Sequence, residues 1–151
     1  MSWAAFDGAA PDLAAAAHRL IFRSGDGSVL LATVRGDDLP RIHPVNVAIV
    51  DGRLYVFVIA KSPKRGDLEA DGRFALHTHQ DPAAPDEFSI RGRARAVDDA
   101  ATRAAVGDAW FFDVDDSYLL VELDVEQAVL GQRGADEWPP RYRRWTATGG
   151  R

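Results

Sequence analysis

The amino-acid sequence predicts a mainly β protein, a six-stranded antiparallel barrel with small helices. Apolar, β-branched runs recur along the chain and are separated by tight polar turns. The dipeptide Asp51-Gly52 is a strong two-residue hairpin signal between two of these runs. Only small helical segments lie between the runs. This pattern is typical of an antiparallel barrel.

In the first half of the chain, an alanine-rich segment predicts a helix over about 12–23, because its apolar residues recur at helical spacing. The barrel strands are expected between about 29 and 132. The first three predicted strands cover 29–34, 41–50 and 54–59.

The second half continues the alternation of strands and short helices. Strands are predicted over 73–79, 88–97 and 118–130, with a helix over about 100–109. The stretch 110–116 fits neither pattern. The tail, 133–151, is basic and aromatic, and it is expected to pack as a short final strand. No linker or repeat interrupts the pattern, so residues 1–151 are interpreted as a single domain.

Composition restricts the class of protein. The chain has 151 residues, a net charge of −5, 46% hydrophobic residues and no cysteine. An acidic chain is not expected to bind nucleic acid through bulk charge, and the lack of cysteine excludes disulfides and a catalytic thiol. No apolar run approaches the ~20 residues of a membrane span, and Met1 to Asp7 do not resemble a signal peptide. A cytoplasmic protein is expected.

A candidate binding site lies where the third predicted strand ends. Ser62 is a good N-cap and Pro63 suits the first position of a helix that Gly72 would end. Of the 18 lysine and arginine residues, only Lys61 and Lys64 are lysines, and both lie at this junction. A helix N-terminus with two nearby ammonium groups favours phosphate. The junction is either a phosphate-binding cradle or a solvated turn.

Other polar patterns are open to two interpretations. His77 and His79 have the spacing of a metal-binding pair on one strand face, or they are partly exposed strand histidines. His43 precedes Pro44, which cannot donate a ladder hydrogen bond, so this point is a strand edge, a bulge or a ligand-facing irregularity; with Asn46 nearby it could line a site. The alternating residues Arg91, Arg93 and Arg95 face an anionic ligand, a neighbouring subunit or solvent. No catalytic dyad or triad motif is present, so an enzyme of this sequence needs a cofactor for its chemistry.

The order of these segments resembles that of the pyridoxamine 5′-phosphate oxidase-like family, which are flavin-binding split barrels. The resemblance covers roughly residues 13–130 and favours the phosphate cradle. The residues that carry it are Leu31 to Val34, Pro40 to Val45, Ser62 to Lys64 with Leu68, Asp71 to Leu76, and Gly92 to Ala94 followed by Val97-Asp98.

The resemblance implies a homodimer of FMN-binding split barrels with two cofactors at the subunit interface. Ser62 and Lys64 would hold the cofactor phosphate, with Lys61 nearby. Trp145 would reach the site of the partner. The residues that would run along the flavin ring are His43, Pro44, Val45 and Asn46.

Three functional hypotheses follow from the resemblance. The first is an oxidoreductase that transfers hydride between FMN and a small molecule. The second is a reductase that uses the deazaflavin coenzyme F420, whose longer anionic tail would need Arg65 or the arginines of the fifth strand. The third is a non-catalytic flavin- or haem-binding protein, with His43, His77 or His79 as the axial ligand. Oxidation of vitamin B6 is not expected, because the chain is short and lacks the basic C-terminal substrate segment of the true oxidases.

Overall fold

The protein is described by a computed structural model that covers residues 1–148. The last three residues of the predicted tail lie outside this range. The elements, in chain order, are α1 (Trp3–Ala9), α2 (Pro11–Ile21), β1 (Ser28–Val34), β2 (Pro40–Val50), β3 (Arg53–Ile59), α3 (Pro63–Ala70), β4 (Arg73–Thr78), β5 (Glu87–Ala96), α4 (Ala100–Asp108), β6 (Tyr118–Gln132) and β7 (Arg141–Thr146).

The strands form one antiparallel sheet in the order β3-β2-β1-β4-β5-β6-β7. An additional pairing between β3 and β6 closes the first six strands into a barrel, and β7 is added to β6 outside that ring. The predicted six-stranded antiparallel barrel is therefore confirmed. The predicted final strand in the tail is confirmed as β7.

Local sequence signals account for most element ends. Asp51 and Gly52 both have positive φ, 49° and 70°, as the tight hairpin between β2 and β3 requires. Asp99 caps α4, where its carboxylate accepts a hydrogen bond from the Thr102 amide at 2.7 Å. Observed bounds differ from the predicted ones by one or two residues. The strand predicted over 73–79 ends at Thr78, so His79 lies outside β4.

The helix α1, a seven-residue helix capped by Ser2, was not predicted from the sequence. Its apolar residues, Trp3 and Phe6, are three positions apart and are buried against one end of the barrel. The segment is too short for a clear periodic pattern, and its stability depends on this packing.

Two apolar clusters stabilise the chain. The larger one fills the barrel and extends beneath α1 and α2. The smaller one lies outside β3, where α4 and the segment after it cover Tyr55 and Phe57. The segment 110–116, which had no predicted structure, contributes Trp110, whose ring centroid is 5.0 Å from that of Phe57.

The barrel is open at one point of its wall. Pairing between β2 and β3 covers only Val47–Val50 against Arg53–Val56. Beyond it, β2 extends back to Pro40 alongside β1 alone, whereas β3 continues to Ile59 alongside β6 alone. The helix α3 begins directly after β3 at this opening. The described residues include no helix that is both long and apolar enough to cross a membrane.

Gly92 provides a stability test of the close contact between β5 and β6. A Cβ atom there would lie 1.7 Å from the carbonyl oxygen of Asp124, next to an irregularity in the β5–β6 register. Gly92→Ala is expected to lower the free energy of unfolding by about 1–3 kcal/mol or more, as measured by urea denaturation. Gly8→Ala is the control, since Gly8 is helical with open space around it, and alanine should stabilise it slightly. Equal stability of Gly92→Ala and the wild type would contradict the described packing.

Candidate functional site

The start of α3 forms as predicted and carries an unpaired hydroxyl group. Ser62 is the N-cap and Pro63 is the first helical residue, but the Ser62 side chain makes no capping hydrogen bond. Its Oγ atom is buried and has no hydrogen-bond partner in the described part of the chain. Buried polar atoms without a partner are uncommon in folded proteins. The hydroxyl group is therefore available to a bound ligand.

The two lysines at the junction differ in their surroundings. Lys61 is exposed, whereas Lys64 is half-buried and close enough to His43 for its charge to lower the imidazole pKa. Within residues 1–148, neither lysine forms an ion pair with a carboxylate. No carboxylate among these residues therefore neutralises the charge of Lys64 directly.

Residues from three elements meet beside Lys64, and we call them the polar cluster. On β1 and β2, Thr33 lies directly opposite Arg41 in the strand register. The Thr33 hydroxyl donates a 2.8 Å hydrogen bond to Oδ2 of Asp67 on α3. The polar cluster consists of Thr33, Arg41, His43, Lys64 and Asp67.

The guanidinium group of Arg41 is only partly paired. Its Nε atom is 3.2 Å from Oδ2 of Asp67, within ion-pair distance. The N–H group is nevertheless not aligned for a hydrogen bond, and Nε is a second buried polar atom without a partner in residues 1–148. The ion pair still attracts the guanidinium group to Asp67, because Coulombic attraction depends on distance more than on angle.

His43 is held in the neutral form near neutral pH. Burial lowers the pKa of its imidazole below the ordinary 6.5, and the positive charge of Lys64 lowers it further. The carboxylate of Asp67 opposes this shift, whereas Arg41 reinforces it. The Nε2 atom of His43 lies 3.5 Å from the Thr33 hydroxyl, at the limit of a hydrogen bond.

The other predicted residues of β2 do not join the cluster through their side chains. Pro44 is exposed on the outer face, and Val45 is buried in the core. The Asn46 amide donates a 3.0 Å hydrogen bond to the carbonyl oxygen of Asp26, in the turn before β1. Pro44 lies where β2 has no pairing with β3, so the predicted strand edge is confirmed.

Trp145 lies on β7, which pairs with the far end of β6. Its ring centroid is 4.9 Å from that of Phe6, and it packs against the core of its own chain. The single chain does not bring it to Lys64, and its contact with a partner subunit stays a prediction.

His77 and His79 do not form a metal pair on one strand face. His77 Nδ1 lies 2.6 Å from the Thr78 carbonyl oxygen, and the His79 ring contacts the Ser28 hydroxyl at 3.2 Å. Residues 1–148 contain no group of three or more side chains that could hold a metal ion.

Two of the three alternating arginines of β5 form ion pairs within the chain, which the sequence does not indicate. Arg95 pairs with the buried carboxylate of Glu122, and Arg93 lies 3.8 Å from Glu126. Only Arg91 of the three has no ion pair within the described residues. It borders an apolar groove on the outer face of β1 and β4, where two cavities of about 360 and 380 Å³ share Ala32 and Ala75.

Three residues of the polar cluster were missed in the sequence. Arg41 and Asp67 carried weak signals, since Arg41 is two positions before His43 on a strand and Asp67 is three after Lys64 on a helix. Thr33 carried none, because its place in the cluster depends on the register between β1 and β2.

Comparison with known proteins identifies the family. A profile of the family described as pyridoxamine 5′-phosphate oxidase matches residues 17–129, and the chain belongs to this family of split barrels. A comparison with curated proteins gives no match.

Similar solved structures support the fold. General stress protein 26 from Bacillus anthracis is 20% identical, with 85% of this chain and 95% of that chain covered and a TM-score of 0.60. The haem storage protein HutZ from Vibrio cholerae is 18% identical, with 77% and 94% covered and a TM-score of 0.61. PhzG from Burkholderia lata, solved with tetrahydrophenazine-1-carboxylic acid, is 15% identical, with 81% and 77% covered and a TM-score of 0.61.

The lowered pKa of His43 predicts a pH dependence of stability. Below about pH 6.5 the unfolded chain binds a proton at His43, whereas the folded chain binds it only at lower pH. The free energy of unfolding should therefore fall as the pH drops from about 6.5 toward the folded pKa. The variant His43→Asn should lose less stability over this range in urea titrations. His18→Asn, at an exposed position on α2, is the control. Identical pH slopes for both variants would contradict the assignment.

Proposed function

We propose that the protein is an oxidoreductase that binds FMN with the phosphate at the barrel opening. The observation that carries this proposal is the buried Ser62 hydroxyl group, which has no hydrogen-bond partner within residues 1–148 and lies at the start of α3, two residues before Lys64. Lys64 and Arg41 both lie close enough to His43 for their charges to lower its pKa. A hydroxyl donor, a guanidinium group and a point charge are the groups that bind phosphate well. The residues present therefore fit the anionic end of a flavin nucleotide.

Each side chain has a distinct part in holding the phosphate. The Ser62 hydroxyl donates a hydrogen bond, and the free backbone N–H groups at the start of α3 add a partial positive charge. Lys64 and Arg41 supply full charges, and Lys61 adds a more exposed one. The imidazole of His43 is neutral and adds no further charge. It can accept or donate one hydrogen bond on the side of the phosphate that faces the flavin ring.

The flavin ring would lie along the edge of β2 that has no pairing with β3. Alternate residues of β2 direct their backbone groups to β1 and to this edge, and the hydrogen bond from the Val47 amide to Gly27 shows that His43 and Val45 face β1. The backbone groups of Pro44 and Asn46 are therefore the ones that can contact the ring, apart from the N–H group that Pro44 lacks. Bound FMN supplies the hydride chemistry, and the protein holds the ring with one face open to a small substrate.

We further propose that the protein is a homodimer with the cofactor between subunits. Ile42 is 69% exposed and lines the outer apolar groove, and Leu39, in the turn before β2, is 55% exposed. A second copy of the chain would cover these side chains and the apolar groove beside them. The net charge of −5 opposes binding to nucleic acid and to anionic membranes, and we propose a cytoplasmic location.

A haem-binding protein without catalytic activity is the second candidate. The likeness to HutZ supports it, together with the position of His77 in the outer apolar groove beside Leu30 and Arg91. With Nδ1 close to a backbone carbonyl oxygen, Nε2 of His77 is the nitrogen that would bind iron, and it would have to do so beside Oε2 of Glu87, 3.7 Å away. The deazaflavin coenzyme F420 remains the alternative occupant of the flavin site.

An absorbance spectrum of the purified protein, titrated in turn with FMN, coenzyme F420 and haem, distinguishes these functions. We expect FMN to bind most tightly and to give a flavin band. A Soret band with tighter haem binding would replace the proposal with the haem candidate. Tighter binding of coenzyme F420 would change the cofactor but keep the phosphate site.

Lys64→Ala tests the role of the lysine in phosphate binding. A charge-assisted contact contributes about 1.5–3 kcal/mol, so the variant should bind FMN roughly ten- to 150-fold more weakly by fluorescence titration. Arg19→Ala, which removes an exposed cation from α2, is the control and should leave the affinity unchanged. An unchanged FMN affinity in Lys64→Ala would refute the assigned site.

Ile42→Asp tests the proposed dimer. A carboxylate on the outer face of β2 would have to lose its water in the interface, which weakens the dimer. In analytical ultracentrifugation the variant should therefore dissociate into monomers at a much higher protein concentration than the wild type. Trp138→Asp, at an exposed position before β7, should leave the dimer intact. A wild-type monomer, or a dimer that Ile42→Asp does not weaken, would contradict this proposal.

A further inference from the structure

We propose that Asp67 is a positioning residue that holds Arg41 ready for the anionic end of the cofactor. This inference rests on the proposed function. Asp67 is a carboxylate in the middle of a predicted phosphate site, and it is only 7% exposed. A negative charge at that place opposes the binding of phosphate, so its presence calls for a physical reason.

The contacts of Asp67 give that reason. A single oxygen, Oδ2, accepts the hydrogen bond from Thr33 at 2.8 Å and lies 3.2 Å from Nε of Arg41. Thr33 and Arg41 are opposite each other on β1 and β2, so one carboxylate oxygen from α3 ties both strands to the helix. Thr33 fixes the carboxylate, and the carboxylate in turn fixes Nε of Arg41.

The rest of the Arg41 side chain remains available to a ligand. Its two terminal nitrogens make no hydrogen bond within the described residues, and the side chain is 33% exposed. Arginine binds phosphate best through parallel N–H groups in a fixed plane. Because the ion pair lies at Nε, it limits rotation of the plane while it leaves the terminal N–H groups free.

The helix places Asp67 and Lys64 on the same side. They are three residues apart on α3, and side chains at that spacing lie on one helix face. Lys64 therefore contributes charge directly, whereas Asp67 contributes by orienting a second cation. The same face of α3 thus carries Lys64, which binds the phosphate, and Asp67, which orients Arg41.

Two physical effects of removing the charge of Asp67 have opposite signs. If the carboxylate acted only through its charge, Asp67→Asn would relieve repulsion and FMN would bind more tightly. If it positions Arg41, the same variant weakens binding, because the guanidinium group is no longer held. The sign of the change in FMN affinity separates the two accounts.

The experiment compares FMN with riboflavin, which has the same ring but no phosphate. In Asp67→Asn we expect roughly five- to fiftyfold weaker FMN binding and unchanged riboflavin binding, within the range for a hydrogen-bonded charge. Glu69→Gln is the matched control, since Glu69 is exposed on the same helix and pairs with Arg65 rather than Arg41. A general loss of structure would weaken both ligands equally.

A second variant makes the test independent of the stability of Asp67→Asn. Thr33→Val keeps both charges and removes the hydrogen bond that fixes the carboxylate. It should therefore lower the ratio of FMN affinity to riboflavin affinity, as Asp67→Asn does. In an Arg41→Gln background, Asp67→Asn should have no further effect on FMN affinity.

Failure of this inference differs from failure of the proposed function. Tighter or equal FMN binding by Asp67→Asn, or an undiminished effect in the Arg41→Gln background, would overturn the positioning role alone. A wild-type protein that binds FMN no better than riboflavin would overturn the phosphate site and, with it, the role of Asp67.

Discussion

The early end of the pairing between β2 and β3 is the constraint on which the rest of the structure depends. Beyond the pair formed by Val47 and Val56, β2 lies alongside β1 alone and β3 alongside β6 alone, and the barrel wall opens between them. An opening leaves backbone groups of β2 without strand partners, and α3 begins directly beside it. Function in this fold is therefore associated with a place where the β-ladder is incomplete.

The polar atoms at this opening show how the site is prepared. Ser62 Oγ is buried without a hydrogen-bond partner in residues 1–148, at a cost to stability of about 1–3 kcal/mol. A bound phosphate would satisfy this hydroxyl group together with the charge of Lys64 and the terminal nitrogens of Arg41. The site thus exchanges some stability of the free protein for affinity toward an anion. Such exchanges are expected at binding sites rather than in structural cores.

The sequence predicted those features that are encoded by neighbouring residues. The Ser62-Pro63 helix start and the Asp51-Gly52 hairpin are local, and both form as expected. The meeting of Thr33, Arg41 and Asp67 depends on strand register and on how α3 packs against β1, which no short-range pattern contains. Pairing of Arg93 and Arg95 with acidic residues of β6 was hidden for the same reason. The helix α1 was missed because its two buried aromatic residues are too few to establish a period.

A crystal structure of the protein grown with FMN tests the central claim most directly. The account predicts the phosphate at the barrel opening, with its oxygens within about 2.7–3.2 Å of Ser62 Oγ and of the terminal nitrogens of Lys64 and Arg41. Density for FMN in the outer groove beside Arg91, or a phosphate that leaves Ser62 Oγ unpaired, would contradict it.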